Sequence, residues 1–471
     1  MLSDDVLYQP VTELSERLRR GQLSPVELTE GYLDRLERLG PRLGAVATLT
    51  ADLALEQARQ AEREIAAGRY RGPLHGIPYG VKDLVATRGL PTTWGAPPYK
   101  DQVFDYDGAV VRRLREAGAV LAAKLAMIEL AGGGGYTNGK ASLVPTVNPW
   151  DTTRWAGGSS SGPGAATAAA LVGFSIGSET WGSILTPSSF CGVSGLRPTY
   201  GRVSRAGAMA LSWTMDKLGP MCRSADDCGL VLAAIAGHDP DDPASADAPF
   251  QYQPAAAGQP NGSSLRGVRV GWIAEDFAKN GEPEVEPLYK NALEALGRLG
   301  AEVKEAKLPD FPYGTVAGTI ISAEGAAAFD TLIMSGRVKE LVDARQQKGL
   351  AGGMEVTAPD YIRAMRIRRL MQEALAELFR DFDALAAPSL LFVANPMEAD
   401  LNTVFRGGSG IGAAGNLAGL PALGVPMGFG KGNLPVGLSL VGKAFDEATV
   451  LRVGRAYQGA TDWHRRRPPL N

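Results

Sequence analysis

Histidine is nearly missing from this chain: His75, His238 and His464 are the only three in 471 residues. A histidine-based triad or metal centre therefore has few positions to draw on. Cysteine is as scarce, and Cys191, Cys222 and Cys228 are odd in number and lack any C-x-x-C spacing. That pattern argues against a disulfide framework and against structural zinc, so no metal is expected. An excess of either charge is also lacking, with 48 Lys and Arg against 51 Asp and Glu and a net charge of −3. No electrostatic footprint for nucleic acid or an anionic membrane results, and neither is expected as a partner. The local run Arg465-Arg466-Arg467 reads as a solvated basic patch. No apolar stretch reaches the roughly 18 residues that span a bilayer. Asp4 and Asp5 stand where a signal peptide would be basic, so a reducing, cytoplasmic setting is expected.

What is present is an ordinary globular balance, 45% apolar and 21% charged residues. The 59 glycines follow no period and point to many tight turns in an α/β protein. Ser24-Pro25-Val26-Glu27 is a capping box with proline at the first helical position, and Gly40-Pro41 is expected to end that helix. A second helix is expected over 51–68, and helix, turn and strand over 108–124. Strands are expected at 267–274, 301–308, 384–387, 422–425 and 436–440, and helices at 285–299 and 358–382. Residues 239–264 read as a long surface loop. Strands alternate with helices and no long repeat is found, which predicts one α/β domain over 1–471 with a large central sheet. Within it, 1–70 is the N-terminal helical part, 72–237 the catalytic core, and 265–471 returns to the same sheet.

The chain is organised around Trp155 to Thr199, which holds three serines in a Gly-rich turn, an Ala-rich segment and a lone serine. Its only charges are Glu179 and Arg197. Two familiar motifs fail nearby. Gly134 to Lys140 matches the start of a P-loop, but Ala141 stands where a hydroxyl must hold magnesium. Gly158 to Gly162 matches G-x-S-x-G, with Ser160 as nucleophile and His238 or His464 as base. That elbow needs a strand before it, and the preceding residues are polar and turn-like.

A serine can be activated without histidine if a lysine is desolvated enough to lose its proton. Bringing a lysine from about 10.4 to about 7 costs roughly 4.6 kcal/mol, which no surface lysine sustains. Lys82 ends an apolar segment shaped by Pro and Gly, where burial is feasible. The plainer reading is a buried Lys82–Asp83 ion pair.

Gly72-Pro73-Leu74-His75-Gly76-Ile77-Pro78, Val81-Lys82-Asp83, Gly157-Gly158-Ser159-Ser160 and Gly182-Ser183-Ile184 with Pro187 together resemble the amidase signature family. The likeness continues through Cys191 to Thr199, Gly201 to Ser204, Asn416 to Ala422 and Pro435 to Leu438, in order over most of the chain. The resemblance implies a central mixed β-sheet covered by helices on both faces. It also implies a Ser–cisSer–Lys triad of Ser183 as nucleophile, Ser159 as proton relay and Lys82 as base. The backbone N–H groups of Thr180, Trp181, Gly182 and Ser183 would form the oxyanion hole. Ser160 and Ser161 are expected to support the turn or cap the Ala-rich helix. The implied activity is hydrolysis of a small-molecule amide, ester or carbamate through an acyl-enzyme, with no cofactor.

Departures from the family pattern bear on substrate. Trp181 stands where relatives often have Gly, and its indole either packs as core or lines the pocket. An arginine common shortly after the nucleophile is replaced by Leu185 and Thr186, which removes a partner for a substrate carboxylate. Glu179 replaces a more usual Asp and is expected to be structural. Gly132, Gly133, Gly134 and Tyr136 read either as a plain turn or as a loop lining the site, with Trp181 and Leu185 as further lining candidates. The main expectation is a free-standing amidase, with a homodimer left open. The alternative is the glutaminase subunit of a tRNA-dependent amidotransferase, against which the missing arginine and Trp181 count.

Overall fold

The computed structural model describes residues 2–132, 145–254, 264–273, 281–400, 404 and 410–470. Gly133, Gly134, Tyr136 and the P-loop-like segment lie outside the described residues. Among those described, eleven strands form one sheet. In chain order they are β1 (Val46–Leu49), β2 (Pro78–Lys82), β3 (Val120–Leu125), β6 (Phe174–Glu179), β7 (Ser194–Arg197) and β8 (Lys217–Cys222). The rest are β9 (Arg269–Ile273), β10 (Glu302–Ala306), β11 (Ala384–Pro388), β12 (Ala422–Gly430) and β13 (Leu434–Gly442). A small separate pair, β4 (Val147–Asn148) and β5 (Asp151–Trp155), precedes the serine turn.

The spatial order is β1-β3-β2-β6-β8-β7-β12-β13-β11-β9-β10. β2 runs parallel to both β3 and β6, β9 parallel to β10 and β11, and the strands between β6 and β11 pair antiparallel, so the sheet is mixed. Side chains alternate across a strand, and the core clusters follow that alternation. On β3, Val120 and Ala122 join the cluster of Leu36, Ala54 and Ala165 and Leu121 joins a second cluster, until a register shift between Leu121 and Ala123 brings Ala123 and Leu125 to the first cluster as well. On β11, Leu385 and Ala387 join the cluster of Leu375 and Ile411, while Ala386 faces the other way. Helical residues lie in the clusters on both faces, which explains why β2, β3, β6, β8 and β13 are buried along their whole length.

Most elements fall where periodicity places them, with instructive differences. The capping box forms, with Ser24 Oγ accepting from Val26 and Glu27 N–H at 3.0 and 3.3 Å. The helix then runs through Gly40-Pro41 to Leu43 and stops at Gly44, which has φ +58°. Pro41 sits in the last turn, where the chain closes by Gly44 and Ala45 N–H bonding back to the carbonyls of Pro41 and Gly40. β12 extends five residues past the expected Val425 because it pairs with β13 as a long hairpin. The described start of the expected surface loop is tied down: Asp239 and Asp242 are buried and paired with Arg112 and Arg205.

Candidate active site

Lys82 is the last residue of β2, the strand enclosed between β3 and β6, and it is fully buried. Its Nζ donates to Ser159 Oγ at 2.7 Å and to Ser178 Oγ at 2.9 Å. Asp83 does not pair with it. The Asp83 carboxylate lies 3.1 Å from Lys124 Nζ and accepts from Thr93 N–H and Oγ1. This disposes of the plainer ion-pair reading. Burial pushes the Lys82 ammonium down to about 7, against the opposing pull of Asp216 and Glu179.

Ser159 lies in a turn that only small residues permit. Gly157 has φ +83°, and a Cβ there would stand 2.7 Å from Pro187 Cα. The Gly158–Ser159 peptide bond is cis. The Ser159 carbonyl accepts from Ile128 N–H at 3.1 Å, and Ser160 N–H donates to the Ser183 carbonyl at 3.2 Å. That last bond joins the two serine turns directly. Ser160 does not cap the Ala-rich helix Ser161–Ala168 with its side chain. Its Oγ instead accepts from Ser178 N–H and donates to the Ser178 carbonyl, both at 3.1 Å, stapling the turn to β6.

β6 ends at Glu179, and Thr180 to Ile184 lead into the helix Leu185–Cys191. Gly182 takes φ +88° to let the chain turn, and Ser183 is buried beside it. Glu179 organises this segment. One carboxylate oxygen accepts from Ile184 and Leu185 N–H at 2.9 and 3.0 Å, the other from Arg197 and Asn416, both at 3.0 Å. Burial would raise the Glu179 carboxyl, but Arg197, Lys217 and these hydrogen bonds hold it down to about 2. Thr180 is held from two sides: its Oγ1 donates to Asp216 at 2.5 Å and its carbonyl accepts from Lys217 Nζ at 3.3 Å. A cavity of about 220 Å³ opens beside Ser178 and Thr180.

The lining candidates divide. Trp181 is 44% exposed, so its indole is not core; its ring lies 3.9 Å from where a Gly314 Cβ would stand, and it does not bound the cavity. Leu185 is buried with Leu385, Ala387 and Ile411 and is not among the residues bounding the cavity. Gly132 follows Leu130 and Ala131, both at positive φ, and packs against the Gln346 side chain. The histidines of the elbow reading lie elsewhere. His238 bonds Ser245, and His464 borders a groove with Tyr8 and Trp150. Ser178, Asp216 and Lys217 escaped the sequence reading; the visible trace was a hydroxyl and two charges in otherwise apolar strand context. Among the described residues no cluster of His, Cys, Asp or Glu is arranged to hold a metal ion, and no helix is long and apolar enough to cross a membrane.

A buried lysine bonded to serine hydroxyls, on a mixed sheet flanked by helices, is an arrangement able to move protons to and from a serine oxygen. The family model described as Amidase matches residues 27–451, and the chain belongs to the amidase signature family of hydrolases acting on C–N bonds. A glutamyl-tRNA(Gln) amidotransferase subunit from Moorella thermoacetica is 39% identical over 99% of each chain. Its counterpart in Chloroflexus aurantiacus is 40% identical over 98% of each. Among solved structures, peptide amidase from Stenotrophomonas maltophilia is 35% identical, with TM-score 0.85 and 98% of each chain covered. A 6-aminohexanoate cyclic dimer hydrolase is 27% identical, with TM-score 0.84 over 98% of this chain and 99% of that one.

Proposed function

We propose that the chain cleaves a carboxamide C–N bond through an acyl-enzyme on Ser183. Neutral Lys82 takes the proton of Ser159, which takes the proton of Ser183 as that oxygen attacks the carbonyl carbon. The backbone N–H groups of Thr180, Trp181, Gly182 and Ser183 receive the developing oxyanion, each donor worth roughly 2.7–4 kcal/mol. The relay then runs backward: Ser159 protonates the leaving amine, and water releases the acyl group by the same path. The observation that carries this reading is the buried Lys82 Nζ, 2.7 Å from Ser159 Oγ and held down to about 7. Ser178 shares the lysine as a positioning group, and Glu179 fixes the turn on which Ser183 stands. Esters and carbamates have the same electrophilic carbon and fall within the chemistry.

Two settings fit this chemistry. The sequence relatives favour the glutaminase subunit of an amidotransferase, being 36–40% identical along nearly their whole length. Leu185 and Thr186 in place of an arginine count against glutamine, and the likeness to peptide amidase supports a free-standing enzyme. On the comparisons the amidotransferase setting is the better supported. Ammonia release from glutamine and from uncharged primary amides, measured with the chain alone and with the other amidotransferase subunits, tests both. Glutamine turnover only in the presence of those partners establishes the amidotransferase role, and turnover of neutral amides by the chain alone establishes the free-standing enzyme. No turnover of any amide, ester or carbamate in either condition overturns the chemistry.

A further inference from the structure

We infer that the cavity beside Ser178 and Thr180 is a subsite for an uncharged, apolar substituent of the substrate amide. The inference rests on the proposed hydrolysis at Ser183 and on its free-standing setting, in which the substrate amide is uncharged. The cavity, about 220 Å³, is walled by Leu84, Ala131, Met209, Leu211 and Leu218, with the exposed Trp213 at its border. An apolar cavity of roughly 150 Å³ already accepts a benzene ring, so a side chain-sized group fits here.

Of the charged groups that also border the cavity, Arg205, Asp242, Lys217 and Asp216 are committed to protein partners, and Asp241 is exposed to solvent. Arg205 pairs with Asp242, donates to the Trp213 carbonyl at 2.5 Å, and lies over the rings of Tyr200 and Trp213. Lys217 donates to the Thr180 carbonyl and to Asn416 Oδ1. Asp216 accepts from Thr180 Oγ1 and from the N–H groups of Leu211 and Ser212. Asp216 thereby ties the apolar wall at Leu211 to the oxyanion strip at Thr180. Apart from the exposed Asp241, what the walls offer a ligand is apolar surface, and the cavity meets the proposed reaction centre at Ser178, whose Oγ accepts from Lys82 Nζ at 2.9 Å. A substituent that fills the cavity gains about fourfold in apparent affinity per buried methylene.

The test is a homologous series: acetamide, butanamide and hexanamide on the acyl side, N-alkyl acetamides on the amine side, and glutamine. In the wild-type chain kcat/KM is expected to climb about fourfold per methylene in one of the two series, which identifies the side that enters the cavity. Leu211→Trp, which fills the cavity, is expected to cut the hexanamide-to-acetamide ratio (or its amine-side counterpart) at least tenfold, mainly through KM. If Leu211→Trp fails to fold by circular dichroism, Met209→Trp takes its place. Flat series in the wild type, a filled cavity that slows short and long amides equally, or a preference for glutamine over hexanamide would each overturn the subsite. Calorimetry of hexanamide and N-hexyl acetamide against acetamide on Ser183→Ala reads the cavity without turnover. Tighter binding of either longer amide there, with no hydrolysis by the wild type, upholds the subsite while the proposed reaction fails; equal binding of all three overturns the subsite.

Discussion

Lys82 Nζ and Ser159 Oγ are 2.7 Å apart in a fully buried site, while the adjacent Asp83 gives its charge to Lys124. The contrast explains the difference between two lysines on neighbouring strands. Lys124 has a carboxylate 3.1 Å away and stays paired. Lys82 is offered hydroxyls, which accept a hydrogen bond but do not neutralise a cation, so burial favours its uncharged amine.

The first consequence is a pH profile. The uncharged amine is the proposed base, and Lys82 is held down to about 7. The kcat/KM for a neutral amide is expected to rise about tenfold per pH unit below 7 and to level off above it. A stopped assay of ammonia release between pH 5.5 and 9 checks this; a rate that falls from pH 6 to pH 8 contradicts the assignment of Lys82 as base.

The same lysine should cost stability. Its folded value of about 7 lies below the ordinary 10.5, so between those limits the unfolded chain binds more protons than the folded one. Stability therefore rises with pH across that window, and the full cost, on the order of 5 kcal/mol, is reached below pH 7. Lys82→Met is expected to abolish turnover and to raise the melting temperature at pH 7, by less than this cost because two hydroxyl bonds are lost. Calorimetric melting of both proteins at pH 7 and pH 10 reads the difference, which should shrink at the higher pH.

Ser178→Ala removes the second hydroxyl on Lys82, 2.9 Å away. One hydrogen bond of this kind is worth about 1 kcal/mol, so kcat is expected to drop about five- to tenfold with KM nearly unchanged. A change in KM alone would assign Ser178 to substrate contact instead.

Glu179→Gln leaves Arg197 without its buried countercharge, takes one of two nearby carboxylates from Lys217, and weakens the acceptor for Ile184 and Leu185 N–H. Breaking a buried pair from one side costs about 3–5 kcal/mol. Urea unfolding is expected to show a loss of that size, with activity falling as the turn carrying Ser183 loosens.

Much of this architecture was legible in the chain because its signals are local. The Ser24 capping box, the Gly118 turn before β3 and the glycines around Ser159 each act over a few residues. The supports of the site act over long separations. Asn416 reaches Glu179 across 237 positions, and Lys217 reaches Asn416 across 199. No periodicity or turn rule links such residues; only the sheet order brings them together. Ser178 was hidden for another reason, since a serine in a strand looks the same whether or not a lysine faces it. Trp181 was undecided on sequence, and its exposure follows from its place on the strip rather than on a strand.

Ser183, not Ser159 or Ser160, is the residue expected to carry the acyl group. Rapid acid quench of the chain with an activated aryl ester, followed by peptide mass mapping, tests it most directly. An added acyl mass is expected on the peptide containing Ser183, absent from Ser183→Ala along with all turnover. An acyl mass on Ser159 or Ser160, or undiminished hydrolysis by Ser183→Ala, would contradict it.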